Sequence, residues 1–96
     1  MRHLVILPAA RTDLVDVADF IALDNPERAM SFLAEIEAKM GQVAARPESF
    51  PVRDDVYQGM RAARHGRYLI FFLIGAEEVQ IVRVLHGARD LPRLFL

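Results

Sequence analysis

The sequence contains no cysteine. Disulfides, thiolate nucleophiles and Cys-based zinc sites are therefore excluded, and the fold has to stand on its hydrophobic core. It also lacks a long apolar run: the longest, residues 68–74, is far too short to cross a bilayer. The N-terminus shows none of the basic, apolar and small-residue order of a signal peptide. Both absences point to a cytoplasmic protein without membrane contact. Nor does either charge dominate. Twelve Lys and Arg stand against thirteen Asp and Glu, a formal net charge of -1. So balanced a molecule exerts no long-range attraction on DNA, RNA or anionic lipid, and no direct specific nucleic-acid binding is expected. No repeat, low-complexity tract or linker divides the chain.

What is present is a core-forming composition. At 53% hydrophobic and 26% charged residues over 96 positions, the chain reads as one folded domain spanning 1–96. Its cations are unevenly placed: residues 1–50 carry five basic and eight acidic groups, residues 51–96 seven basic and five acidic. Any basic surface belongs to the second half. Eleven of the twelve cations are Arg, suited to planar, two-pronged recognition, although GC-rich coding favours the same choice.

The spacing predicts a first strand over residues 4–7, an apolar run stopped by Pro8. Ala10, Leu14, Val17, Ala18 and Ile21 then recur at helical spacing, which predicts a helix over 9–23 with Asp13, Asp16 and Asp19 on another face. Asn25 and Pro26 form an N-cap and first-turn pair for a second helix, striped by Ala29, Leu33, Ile36, Met40 and Val43 and ending near Arg46. After a Pro-containing loop, extended segments follow at 59–64, 68–74 and 79–85, joined by two short Gly-containing connections. The last alternates Val79, Ile81 and, after a phase change at Val82, Val84. The expected architecture is α+β: an antiparallel sheet, made of the N-terminal strand and a C-terminal three-stranded meander, packed by an N-terminal helical hairpin.

Several residue sets carry possible chemistry. Arg61, Arg64 and Arg67 lie in a segment free of acids and are either a partner-binding patch or a solvated hairpin face. His86-Gly87-Ala88-Arg89-Asp90 is either a functional turn or a structural one, with Gly87 at positive φ and Asp90 paired to a neighbouring Arg. Asp13, Asp16 and Asp19 have no further ligand nearby and read as an exposed helix face and not as a metal site. Residues 68–74, with Phe71 and Phe72 adjacent, present apolar groups to both sheet faces. One face meets the helices. The other is left for the tail 91–96, a partner protein or a second copy to cover.

The stretch Val82-Arg83-Val84-Leu85-His86-Gly87-Ala88-Arg89-Asp90-Leu91 resembles the C-terminal signature of ParE-type toxins in the RelE/ParE superfamily. Pro8-Ala9-Ala10, Phe20-Ile21-Ala22 before Asp24-Asn25-Pro26, and Met60-Arg61 with Gly66-Arg67-Tyr68 are similar too, so the resemblance covers nearly the whole chain. It implies a type II toxin that inhibits DNA gyrase by binding, held inactive in a hetero-oligomer by a ribbon-helix-helix, ParD-like antitoxin, with no catalytic residue, metal or cofactor. The alternatives it leaves open are a ribosome-dependent messenger ribonuclease of the RelE branch and a module that only binds antitoxin. Against the nuclease stand Tyr57 and Gly59 where that branch carries lysines, Tyr68 in place of an arginine, and a tail without tyrosine. On this reading the target-binding candidates are Arg61, Arg64, Arg67, Arg83, His86 and Arg89. Those for the antitoxin are Phe71, Phe72, Leu91, Leu94 and Phe95.

Overall fold

A computed structural model of the protein describes residues 2–94, with side chains placed through residue 91. Strand β1, His3–Ile6, ends where Pro8 starts helix α1, Pro8–Ala22. Helix α2, Pro26–Ala45, begins as the sequence predicts: Pro26 occupies the first turn, and the Asn25 side chain accepts the N–H of Arg28 at 3.0 Å. One 3-10 turn, Pro47–Ser49, leads into the loop before strands β2, Arg61–His65, β3, Tyr68–Ile74, and β4, Glu78–His86. Helix α3, Gly87–Leu94, follows β4 without a break.

The sheet order is β1-β4-β3-β2. The meander is antiparallel as expected, whereas β1 joins β4 in parallel, His3 opposite Glu78 and Ile6 opposite Ile81. The α+β architecture holds with a mixed sheet. A chain that leaves β1 through two helices and a meander returns to the β1 edge running in the same direction, which makes this long connection a crossover and not a hairpin. The phase change read at Val82 is a β-bulge: Phe71 faces Arg83 while Phe72 faces Ile81, leaving Val82 without an opposite number.

The helices cover one sheet face. Ala10 and Val17 of α1 and Phe32, Ile36, Met40 and Val43 of α2 pack on Ala63, Ile70, Phe72, Val79, Ile81 and Val84. The opposite face has its own smaller core of Met60, Ala62, Leu69, Phe71 and Leu85, closed over by Val56, Leu73, Val82 and Leu91. The chain thus covers much of its second face itself, with the loop before β2 and with α3. Phe71 and Phe72, read from sequence as antitoxin contacts, are 1% and 0% exposed. Alternation on β3 sends one ring into each core, where full burial of such a side chain contributes about 1.5–3 kcal/mol.

Candidate partner-binding site

The end of β4 is held by two carboxylates. β1 stops pairing at Ile6 opposite Ile81, so the backbone N–H groups farther along that edge of β4 need other acceptors. Asp13 of α1 supplies one. Its Oδ2 accepts the N–H of Val84 at 2.9 Å and Nε–H of Arg83 at 2.7 Å, while its Oδ1 accepts Nη2–H of Arg83 at 2.9 Å. Asp13 is therefore a buried structural group and not part of an exposed acidic face. The hydrogen bonds from Arg83 into the Asp13 carboxylate also raise the guanidinium's pKa above its ordinary value, against the opposing effect of burial.

Asp90 supplies the second acceptor, its Oδ2 taking the His86 N–H at 2.8 Å. In return His86 Nδ1 accepts the N–H of Arg89 at 3.1 Å. This is a reciprocal cap on α3, equivalent in logic to a capping box, with His86 as the capping residue. The His-Gly-x-Arg-Asp stretch is a helix start and not a turn with a left-handed glycine. Positive φ occurs among the described residues only at Gly59 and Gly66, and a Cβ on Gly87 would meet Arg67 O at 3.6 Å and Leu69 Cδ1 at 3.7 Å, which is ordinary contact. The net pKa of Asp90 is lowered: burial pushes it up, but the Arg89 side chain and the His86 N–H together outweigh that.

The other candidates divide sharply. Arg61 Nη1 donates to the carbonyls of Phe50 at 2.7 Å and Glu48 at 3.3 Å, tying the loop to the sheet. Arg89 pairs with Asp90 at 3.2 Å and stands over the Phe20 ring at 5.6 Å. His65 Nε2 lies 2.7 Å from Glu35, whose pKa is lowered chiefly by the hydrogen bonds from Arg28 and then by those from His65. Tyr68 stands edge-on to His86 at 5.3 Å. Leu91 is half-buried in the second core, while the Leu94 side chain and Phe95 lie outside the described residues.

Arg64 and Arg67 remain. Both are exposed, and among the described residues neither has an acidic partner. They line a groove of about 490 Å³ together with Arg53, Leu69, His86, Gly87, Ala88 and Leu91. Arg64 pairs opposite Leu69 on the antiparallel ladder and so shares the second sheet face, while Arg67 occupies the two-residue turn to β3. The turn is made tight by Gly66 at φ 59°, the only positive φ of its two central residues, as in type II′ hairpins. Arg53, which reads as loop in the sequence, completes the set through a two-pronged pair with Asp55 at 2.9 Å for each bond.

The family described as "ParE toxin of type II toxin-antitoxin system, parDE" matches residues 4–91. The chain belongs to the ParE toxin family. Among solved structures, this ParE-family chain is similar to one described as "Chromosomal ParDE TA system from P. aeruginosa", with a TM-score of 0.76 and 21% identity, covering 90% of this chain and 96% of that one. At that identity the likeness establishes the fold. No curated protein sequence matches. Among the described residues, no group of three His, Cys, Asp or Glu could hold a metal, and no helix is long and apolar enough to cross a membrane.

Proposed function

We propose that this ParE-family chain is a cytoplasmic toxin that acts by binding, inhibits DNA gyrase, and is neutralised by a ribbon-helix-helix, ParD-like antitoxin. One observation carries the reading. Of the cationic candidates, Arg61 and Arg83 are engaged in holding the fold, Arg89 is paired with the adjacent Asp90 and lies over Phe20, and His86 Nδ1 is engaged in capping α3. That leaves Arg64 and Arg67 to meet a partner. Messenger cleavage by 2′-OH attack needs a positioned base, an acid and cations around one phosphate. Two exposed arginines on an open groove suit recognition of a surface better than they suit that chemistry.

The antitoxin contact is assigned to apolar surface, with Leu91 and the tail candidates Leu94 and Phe95 retained and Phe71 and Phe72 contributing only from beneath the surface. A plasmid supercoiling assay tests the target. With gyrase present, the chain inhibits supercoiling or accumulates cleaved plasmid, and adding the product of the adjacent antitoxin reading frame reverses the effect. Unchanged supercoiling at a large excess of folded chain overturns the proposal.

A further inference from the structure

The groove beside α3 combines two properties that select a ligand chemistry. It is lined by Arg64 and Arg67, exposed and unpaired among the described residues, and by Arg53, which is paired with Asp55, and no acid is among its lining residues. Leu69, Ala88 and Leu91 supply its apolar lining. The helix start offers few free donors, because the N–H groups of His86, Gly87 and Arg89 are already taken by Asp90, the Arg67 carbonyl and His86. Planar guanidiniums are matched by carboxylates, which they bind through paired hydrogen bonds.

We infer that this groove docks an acidic segment of a partner protein, with carboxylates on Arg64 and Arg67 and an apolar side chain resting against Leu69 and Leu91. A single-stranded nucleic acid would also bring negative charge, but such ligands gain much of their affinity by stacking bases on exposed rings. The one ring lining the groove, His86, already packs at right angles to Tyr68 and caps α3 through Nδ1. The net charge of -1 likewise supplies no general field for a polyanion. The inference rests on the reading that the chain acts through protein partners, and it assigns the chemistry of one contact.

The test uses the whole chain, labelled with ¹⁵N, and an acetylated eight-residue peptide of alternating Glu and Leu. A Lys/Leu peptide of the same length and an eight-nucleotide oligothymidylate serve as comparators. The Glu/Leu peptide shifts the guanidinium N–H signals of Arg64 and Arg67 and the amides of Gly87 and Ala88, and the Lys/Leu peptide does not. The double variant Arg64→Glu, Arg67→Glu binds at least tenfold more weakly at an unchanged melting temperature, whereas Arg11→Glu with Arg46→Glu, exposed arginines outside the groove, leaves binding intact. Oligothymidylate binding more tightly than the acidic peptide overturns the inference in favour of a nucleic-acid site. Absence of shifts in the groove, or equal binding by the double variant, overturns it outright. Because the titration contains neither gyrase nor antitoxin, a missing gyrase effect counts against the proposed function alone.

Discussion

Asp13 and Arg83, seventy residues apart, form a two-pronged ion pair at 2.7 and 2.9 Å, and the same carboxylate accepts the buried N–H of Val84. The arrangement takes over where β1 stops, so α1 completes the edge of β4 with a side chain in place of a strand. It converts two residues that look like surface charge into part of the framework that positions α3.

Asp13→Ala is therefore expected to be the most damaging single change to a charged residue. It strands the Val84 N–H, a loss of about 1–3 kcal/mol for a buried donor. For a domain of this size each kcal/mol lowers the melting temperature by roughly 4–8 °C. Asp13→Asn keeps an acceptor for Val84 and falls between wild type and Asp13→Ala in a thermal melt. Equal melting of all three proteins would show that the edge of β4 is satisfied without this carboxylate.

Two glycines should respond differently to alanine. Gly66 has φ 59°, where a Cβ is strained by roughly 1–2 kcal/mol, while Gly87 is not among the positive-φ residues and a methyl group there would meet its neighbours at ordinary contact distances. Urea unfolding of Gly66→Ala shows a lower midpoint, and Gly87→Ala stays near wild type. A larger loss at Gly87 would return the His-Gly-x-Arg-Asp stretch to a strained turn.

Acid should loosen α3 through Asp90. Its folded pKa is depressed, so its contribution is complete above the unfolded carboxylate value of about 3.9 and is lost as pH falls through the lower folded value. Asp90→Asn keeps an acceptor for the His86 N–H but cannot titrate. Melting temperatures followed from pH 5 downward therefore converge for the two proteins, wild type falling faster. Parallel curves would show that Asp90 has no part in the acid response.

The sequence and the structure agree where local rules decide. The Asn25-Pro26 helix start, the end of α2 before Pro47 and the bulge at Val82 are written in short-range spacing and turn chemistry. The direction of β1 is not, because strand pairing across the whole chain leaves no local mark. Helix α3 is masked by Gly87 and by Pro92, both poor helix residues, although His86 and Asp90 stand at capping distance. Asp13 could have been placed: it lies three residues after Ala10 and four before Val17, on their buried stripe. Its partner, Arg83, could not, since nothing in the sequence joins α1 to the bulged half of β4. Of the cationic candidates, type alone could not separate Arg61 and Arg83, bound within the fold, from Arg64 and Arg67, left at its surface.

Arg83→Ala and Arg64→Glu with Arg67→Glu should consequently separate stability from action. The first lowers the melting temperature, because it leaves Asp13 without its ion-pair partner. The second leaves the melt unchanged, since exposed substitutions usually fall within about 0.5 kcal/mol, and reduces inhibition of gyrase. The reverse pattern would move the partner contact to the end of β4.

Action by binding and not by turnover is tested most directly by stoichiometry. The chain is titrated against a fixed concentration of gyrase acting on plasmid, and in parallel against programmed ribosomes whose message length is followed. Gyrase inhibition is expected to saturate as the chain approaches its target's concentration, with the message intact throughout. Message cleaved by far fewer chains than ribosomes, with gyrase unaffected, would contradict action by binding.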